Sequence, residues 1–452
     1  MIVQKFGGTS VGSAEAMGRV MDIVRSKLGD SPIVVVSALG GATNALLGMA
    51  EQAARGQLIG AMSAVQSLRD RHLREAEALL GDTPECAEVC GEISASFDEL
   101  ANLVVALNTL AHVTPRSLDA IAAMGEQLSS MIIVAAMRRR GIDAVHVDAR
   151  QVVITDDEFT AASPQMDAIA ERSNAVVLPL VRERKVPVMG GFIGSCNGVT
   201  TTLGRGGSDY SAALVGAALG ADSIEIWTDV DGMLTADPRV VEGARLIERI
   251  RFDEASELAS FGAKVLHPMT IAPAVRKGIP VWIYNTFRPK ESGTLIAFDA
   301  PKRSVSAIAG KGSITVVRVA APRMLEARGF LRTIFEVFAT HDTSIDVVAT
   351  SEVSVSVTVD QTAHLDDVMV DLRQLGDVSV ERNRGIVAVV GAGLGDDSVA
   401  MSRAIGALGG LKLHMLSLSA TGINLTAIVD GDQVQEAMRR LHREFFPPGA
   451  RA

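Results

Sequence analysis

Short runs of β-branched and aliphatic residues, with almost no alternating polar positions, recur along the first two thirds of the chain. Such runs are typical of parallel strands that are covered on both faces. The predicted strands are Ile2–Phe6, Pro32–Val36, Ala144–Asp148, Val186–Gly190, Ser223–Thr228 and Pro280–Tyr284. Amphipathic patterns between them predict helices at Ala14–Lys27, Glu126–Arg140 and Ser208–Leu219. The alternation predicts an α/β fold with a largely parallel sheet and helices on both faces. A sheet of this kind binds ligands beyond the carboxyl ends of its strands.

Residues 45–120 interrupt this alternation, because they carry helical patterns and no strong strand. One interpretation is a helical insertion that acts as a lid. The other is a set of structural helices that cover the sheet, and the pattern favours neither.

A second pattern begins near residue 300, after Phe298-Asp-Ala-Pro301. Strand, helix, two strands, helix and strand follow at Ser313–Ala320, Gly329–His341, Ser344–Ala349, Val353–Val359, Ala363–Leu375 and Asp377–Glu381. The order starts again with Gly385–Val390, Val399–Gly406, Lys412–Ser417, Asn424–Val429 and Gln433–Phe445. This internal repeat predicts two α+β ferredoxin-like units. The second lacks a final strand, which residues 304–309 can supply, so the predicted domains are 1–303, 304–384 and 385–452.

Composition narrows the class of protein. Of 452 residues, 48% are hydrophobic and only 4% aromatic, so the cores must be aliphatic. The net charge of −10 argues against a nucleic-acid partner. Three cysteines indicate a reducing compartment, and Cys86 and Cys90 are interpreted as inert thiols rather than metal ligands. We see no apolar run long enough to cross a bilayer and no secretory signal, and we expect a cytoplasmic protein without a membrane partner.

The first predicted strand ends in a glycine pair, within Lys5-Phe-Gly-Gly-Thr-Ser10. Glycines let backbone N–H groups approach an anion closely, and the helix that follows directs its N-terminal dipole at the same place. Lys5 supplies a mobile charge for phosphate oxygens. The motif therefore predicts phosphate binding at the end of the strand.

A second glycine-rich motif joins Gly191-Phe-Ile-Gly194 to Thr200-Thr-Thr-Leu-Gly-Arg-Gly-Gly-Ser-Asp209. Arg205 carries a planar charge that can hold a carboxylate through two hydrogen bonds. Ser208 or Asp209 can simply cap the helix. Three glycines, an arginine and an aspartate within six residues exceed what a cap needs, so a functional role is favoured.

Two further loops follow later strands. Thr228-Asp-Val-Asp-Gly contains acidic residues where a nucleotide would lie, and Arg239 in the same segment can reach phosphates, although such loops are also ordinary turns. Lys264, in Ser260-Phe-Gly-Ala-Lys-Val-Leu-His-Pro268, is a candidate nucleotide contact, whereas His267 is interpreted as a cap or packing residue. Thr43 and Glu126 are weaker candidates, and Glu126 is predicted at a helix start.

These motifs, in this order over nearly the whole chain, resemble the aspartate kinases of the amino-acid kinase family, and the lysine-sensitive type is the most similar. The resemblance implies the amino-acid kinase fold followed by tandem ACT domains. It also implies transfer of phosphate from ATP to L-aspartate, with Mg²⁺ held mainly through the nucleotide phosphates. It implies catalytic roles for Lys5 and Asp209. The implied aspartate contacts are Thr43, Glu126, Phe192, Arg205, Ser208 and Asp209. The implied ATP contacts are Lys5, Gly7, Gly8, Thr9, Ser10, Thr228, Asp229, Leu234, Arg239, Lys264 and Val265, and Leu234 replaces a tyrosine that is common in the family.

The resemblance also implies feedback regulation by an amino acid at an interface between paired ACT units, and hence at least a homodimer. Lysine is favoured as the effector, and threonine or no effector are the alternatives. The implied effector contacts are Met324, Phe330, Ser344, Ile345, Asp346, Thr350, Ser351 and Glu352. Ala327 departs from a common serine. No metal-ligating side chains are expected.

Two alternatives stay open at the level of sequence. One is another amino-acid kinase, such as an acetylglutamate or glutamate 5-kinase, against which the Lys5–Ser10 string and the ACT-like repeat argue. The other is an inactive amino-acid sensor, against which the intact Lys5, Glu126, Arg205 and Asp209 argue.

Overall fold

The computed structural model describes residues 1–262, 268–321, 328–360 and 362–447. In chain order its strands are β1 (Ile2–Phe6), β2 (Pro32–Val36), β3 (Ala144–His146), β4 (Val186–Gly190), β5 (Ile193–Cys196), β6 (Val199–Thr202), β7 (Ser223–Thr228), β8 (Arg249–Ile250), β9 (Val281–Asn285), β10 (Thr294–Ile296), β11 (Ala307–Ala320), β12 (Val348–Thr350), β13 (Ser354–Val359), β14 (Asp377–Val390), β15 (Met415–Leu418) and β16 (Asn424–Asp430).

The α-helices in chain order are α1 (Ala14–Ser26), α2 (Ala42–Ala54), α3 (Leu58–Leu80), α4 (Pro84–Leu110), α5 (Pro115–Arg139), α6 (Met166–Arg182), α7 (Gly207–Leu219), α8 (Phe252–Ser260), α9 (Ala272–Lys277), α10 (Phe330–Thr340), α11 (Leu365–Leu372), α12 (Ser398–Ala407) and α13 (Val434–Phe445). The chain forms two compact units. The first unit comprises Met1–Met233 and Val265–Phe298, and the second comprises Leu234–Lys264 and Asp299–Ala452.

A largely parallel sheet forms the centre of the first unit, with strand order β3-β4-β2-β1-β7-β9-β10. Strand β1 is parallel to β2 and β7, so that Lys5 lies between Val35 and Ile226. Only β10 in this series runs antiparallel to its neighbour β9. The predicted parallel sheet is confirmed, and Lys5 lies on one of its inner strands.

Helices α2 to α5 include residues 45–120, for which the sequence allowed either a lid or structural helices that cover the sheet. The buried faces of α3 and α4 belong to the same hydrophobic cluster as strand residues Phe6, Val34 and Val36. Because these helices share a core with the sheet, the structure favours structural cover over a lid. Thr114 caps α5 by accepting from the Ser117 backbone N–H, and Pro115 occupies the first turn.

One antiparallel sheet runs through the second unit in the order β12-β13-β11-β14-β16-β15. The two ferredoxin-like halves share the long strands β11 and β14. Residues 307–311 pair with 386–390 of the second half, whereas residues 316–320 pair with both β13 and the start of β14. The strand predicted from residues 304–309 thus lies beside the second half, and the two halves are interleaved.

Residues 234–264 are grouped differently from the sequence-based division, which placed them in domain 1–303. They belong to the second unit. Glu254 explains part of this grouping, because its Oε1 accepts hydrogen bonds from Ser306 Oγ (2.7 Å) and from the Ala392 N–H (2.8 Å). A buried carboxylate with two such donors fixes the segment to the strands it contacts.

Candidate active site

Lys5 and Asp209 form a partly enclosed ion pair at the carboxyl end of the central sheet. Lys5 Nζ lies 2.7 Å from Asp209 Oδ1, and the two side chains are only 11% and 13% exposed. Asp209 belongs to the first turn of α7, as predicted. The ion pair holds the lysine ammonium at the sheet edge where a parallel sheet binds its ligands.

The glycine loop after β1 is fixed by its own backbone and by β7. The Gly7 N–H donates to Trp227 O (3.0 Å), and the Ser10 N–H donates to Gly7 O (2.9 Å). A Cβ at Gly8 would lie 3.1 Å from Ala38 O, so a side chain there would displace one of the two loops.

Ser10 differs from its predicted role as a nucleotide contact. It is completely buried, and its hydroxyl lies 2.7 Å from Thr286 Oγ1 and 3.3 Å from Trp227 O. The hydroxyl and the backbone N–H of Ser10 are therefore both engaged within the protein, which favours a role in holding the loop. Thr9 beside it is exposed.

The N-terminus of α7 forms the second glycine-rich wall. Gly206 caps the helix with φ +71°, a backbone conformation that favours glycine. A Cβ at Gly207 would lie 2.6 Å from Phe192 Cδ2, so glycine is needed for the β5–β6 hairpin to approach the helix. The first N–H groups of a helix lack partners within it, and they favour an anion in this position.

One cavity of about 690 Å³ brings the predicted amino-acid contacts together. Its lining includes Lys5, Thr43, Glu126, Phe192, Arg205, Ser208 and Asp209. Cations and anions thus face the same space, which suits a ligand with an ammonium group and carboxylates. Arg205 is exposed and makes no ion pair within the described residues, so its guanidinium is available to a carboxylate.

Glu126 does not begin a helix, contrary to the sequence-based prediction. It lies in the middle of α5, which starts at Pro115, so a favourable interaction with the helix dipole does not explain it. Its side chain is nearly fully buried, its Oε2 has no hydrogen-bond partner in the described part of the chain, and burial raises the pKa of its carboxyl to about 8. The Ala38 N–H and the charge of Lys5 oppose this rise only in part.

Asp119 was not identified from the sequence, although it lines the same cavity. It precedes Glu126 by seven residues, which places both on one face of α5. Thr114-Pro115 is a helix-start signal that would have located this face. Burial raises the pKa of Asp119, and hydrogen bonds from Thr160 and Thr202 oppose the rise.

The predicted nucleotide contacts are divided between the two units. Thr228 ends β7 and Asp229 follows it in the first unit, where Asn285 Nδ2 donates to Asp231 Oδ1 (2.7 Å) and fixes the loop. Leu234 and Arg239 lie in the second unit. The guanidinium of Arg239 pairs with Asp237 at 2.7 Å and is 82% exposed. Lys264 and Val265 lie outside the described residues.

The described effector candidates all belong to the second unit. Phe330 begins α10, Ser344, Ile345 and Asp346 precede β12, and Thr350 ends β12. Ser351 and Glu352 are exposed in the turn that follows, and Met324 and Ala327 lie outside the described residues. Of these, Ile345 and Asp346 line a cavity of about 540 Å³ together with Glu257, Ser417, Ser419 and Asn424. Burial raises the pKa of both Asp346 and Glu257.

Comparison with known proteins agrees with this arrangement. The model of the amino acid kinase family matches residues 1–285, and that of the ACT domain matches residues 387–445. The chain is 36% identical to the lysine-sensitive aspartokinase 3 of Escherichia coli over 99% of both chains.

Solved structures of the Escherichia coli aspartokinase III are similar along the whole chain. The complex with aspartate and ADP, described as the R-state, is 36% identical, has a TM-score of 0.86, and covers 99% of this chain and 100% of its own. The complex with lysine and aspartate, described as the T-state, is also 36% identical, has a TM-score of 0.82 and covers 99% of each chain.

The chain therefore belongs to the amino acid kinase family, with a catalytic domain of that fold followed by ACT domains. Within the family it belongs to the aspartokinases. The comparison thus supports the aspartate kinases over the acetylglutamate and glutamate 5-kinases that the sequence left open.

One expectation about the membrane needs correction. By length and composition, helix α5 is long and apolar enough to cross a bilayer. However, most of its apolar stretch is buried inside the protein, which is typical of a core helix.

Proposed function

We propose that this chain transfers the γ-phosphoryl group of ATP to the β-carboxylate of L-aspartate, which gives 4-phospho-L-aspartate and ADP. The observation that carries the proposal is the cavity in which the Lys5–Asp209 ion pair, Glu126, Arg205 and the N-terminus of α7 face one space. The family to which the chain belongs supports the same reaction.

The proposed reaction does not need a general base. The β-carboxylate of aspartate is already an anion at neutral pH, so it can attack phosphorus without losing a proton. Catalysis then consists of alignment of the two substrates and neutralisation of charge on the transferred oxygens. Lys5, the Gly7–Gly8 backbone and Mg²⁺ bound mainly through the phosphates would supply that charge.

The cavity offers a distinct partner for each charged group of aspartate. Arg205 would hold the α-carboxylate, with help from Ser208 and the helix N-terminus. Glu126 would accept from the ammonium group, and Thr43 and Phe192 would bound the carbon chain. Asp209 would orient Lys5. Thr9, Thr228, Asp229, Leu234, Arg239, Lys264 and Val265 stay candidate nucleotide contacts.

We further propose feedback inhibition by lysine at the ACT-containing unit, in a cytoplasmic protein that is at least a homodimer. The complex of the Escherichia coli relative with lysine and aspartate, described as the T-state, supports the choice of effector. Exposed apolar side chains on the two terminal strands of the second sheet, Val348, Leu416 and Leu418, support pairing with a second copy. The proposed effector contacts remain Met324, Phe330, Ser344, Ile345, Asp346, Thr350, Ser351 and Glu352.

Trapping of the product tests the proposed reaction. An acyl phosphate reacts with hydroxylamine to give a coloured hydroxamate, whereas hydrolysis of ATP alone gives none. We expect hydroxamate formation that requires both ATP and L-aspartate and is at least about tenfold slower with L-glutamate or N-acetylglutamate. ADP release without hydroxamate, or equal rates with glutamate, would contradict the proposal.

A further inference from the structure

Asp119 collects hydrogen bonds from two separate segments of the cavity wall. Its carboxylate oxygens accept from the Thr160 N–H at 3.1 and 3.0 Å, from the Thr202 N–H at 2.9 Å and from Thr202 Oγ1 at 2.6 Å. Only 1% of Asp119 is exposed. Its oxygens therefore act on the protein itself, and they connect α5 to the loop before α6 and to the end of β6.

The loop held by Asp119 has a backbone conformation that its sequence does not favour. Thr160 has φ +73°, in the left-handed region that β-branched residues rarely adopt. Such conformations persist where the surroundings hold them, and they concentrate at functional sites. The bond from Asp119 to the Thr160 N–H is an interaction that can hold this conformation.

Thr160 also contacts the segment that carries Arg205, the proposed partner of the substrate carboxylate. The carbonyl oxygen of Thr160 lies 3.1 Å from the place that a Cβ at Gly204 would occupy, so the loop and the residue before Arg205 are in close contact. Thr202, two residues before Gly204, is held by the same carboxylate. Thr160, Thr202, Gly204 and Arg205 all line the cavity.

We propose that Asp119 is a positioning residue for the amino-acid substrate. Its carboxylate holds Thr160 and Thr202 and so fixes the position of the cavity wall that carries Arg205. The position of this wall sets the length of the amino acid that the cavity accepts. The inference rests on the proposed phosphorylation of aspartate.

The negative charge of Asp119 is essential to this arrangement, because three donors converge on two oxygens. An asparagine of nearly the same size would direct an NH₂ group at one of these donors, and this set of hydrogen bonds would lose acceptors without creating a cavity. The wall would then relax toward a more ordinary backbone at Thr160. A longer amino acid should fit this relaxed cavity better than it fits the native one.

Steady-state kinetics of variants with aspartate, glutamate and ATP test the proposal. In Asp119→Asn we expect the KM for aspartate to rise by about tenfold or more, while the KM for ATP stays within about twofold. We also expect the ratio of kcat/KM for aspartate over glutamate to fall by about tenfold. In the double variant Asp119→Asn/Thr160→Gly, the KM for aspartate should fall back toward the wild-type value, because glycine adopts a positive φ without support.

Asp156→Asn is the matched control, since this carboxylate accepts from Ser163 N (2.8 Å) at the base of the same loop but does not line the cavity. We expect it to keep the wild-type KM for aspartate. If Asp119→Asn does not fold, Thr202→Val removes the single 2.6 Å bond and should shift the KM in the same direction by a smaller factor.

An unchanged KM for aspartate in Asp119→Asn would overturn the inference. So would equal rises in the KM values for aspartate and ATP that Thr160→Gly fails to reverse, because these would indicate a general loss of structure. Failure of the wild-type protein to phosphorylate aspartate would instead contradict the proposed function, and the two failures are therefore distinguishable.

Discussion

The cavity that Lys5 lines in the first unit and the cavity that Asp346 lines in the second unit differ in how their charges are arranged. The cavity of the first unit contains cations and anions together, and its central lysine is already paired with an aspartate at 2.7 Å. In the cavity of the second unit, the charged side chains of the described lining are Glu257 and Asp346, both carboxylates. The first arrangement suits the stabilisation of a reaction, and the second suits the binding of an ammonium group.

This difference indicates separate physical tasks. A preorganised ion pair acts on a developing transition state without reorganisation of its surroundings, so each member should affect the rate strongly. A regulatory site changes only the populations of states that already exist, so its residues should alter inhibition more than the uninhibited rate.

The largest expected effect follows from removal of the central cation. Lys5→Ala should lower kcat by about 10²–10³-fold, because it deletes the charge nearest the proposed phosphoryl position and leaves Asp209 unpaired. Lys185→Ala, a surface lysine paired with Glu183, is the control and should keep normal turnover. A Lys5→Ala enzyme with near-normal kcat would remove the distinction between the two cavities.

A large pH effect is expected from Glu126. Its pKa of about 8 means that the empty site holds a neutral carboxyl near pH 7, whereas binding of an ammonium group favours the carboxylate. The KM for aspartate should therefore fall as pH rises from 6 to 8, by up to about tenfold per unit. Glu126→Gln should raise the KM and remove most of this dependence.

The same residue makes a prediction about stability without ligand. Because the folded pKa lies above the unfolded value of 4.5, Glu126 contributes stability that is present below pH 4.5 and lost as the pH rises toward 8. The pH dependence of the melting temperature should be weaker in Glu126→Gln over this window. An identical dependence in both proteins would contradict the buried, neutral state.

A smaller effect on turnover is expected from the second unit. Glu352→Ala and Asp346→Asn should each raise the lysine concentration for half inhibition by about fivefold or more, because each removes a carboxylate from the proposed effector contacts. Their rates without lysine should stay near the wild-type rate. Loss of all activity in either variant would argue against a purely regulatory role.

The smallest effect is expected at Ser10. Ser10→Ala should lower the free energy of unfolding by about 1 kcal/mol, because the Thr286 hydroxyl loses its buried partner. The KM for ATP should change little. Thr9→Ala, at the exposed neighbouring position, should change the KM for ATP more than the free energy of unfolding. Chemical denaturation measures the free energy of unfolding of each variant, and titration with ATP measures the KM.

The regular elements were predictable because their signals are local. β1 and β2 were predicted at their observed bounds, and Asp209 was predicted in the first turn of its helix. The long strands β11 and β14 were predicted as separate pieces, because the register shift between Lys311 and Ile314 breaks the pattern where the two halves of the sheet join.

The errors at the site arise where the signal depends on tertiary contacts. Glu126 was predicted at a helix start since its own neighbours carry a helix pattern, but Thr114 and Pro115 begin the helix eleven residues earlier. Asp119 was missed because its partners, Thr160 and Thr202, lie 41 and 83 residues away along the chain. The burial of Ser10 likewise depends on Thr286, which no local pattern indicates.

The coupling between Lys5 and Asp209 tests the central claim most directly, because the account treats the two as one preorganised pair. The measurement is kcat for Lys5→Ala, Asp209→Asn and the double variant. We predict that the double variant is no more than about threefold slower than Lys5→Ala alone, since the aspartate acts through the lysine. Multiplicative losses, with each substitution lowering kcat by its full factor, would show that the two residues act independently and would contradict the account.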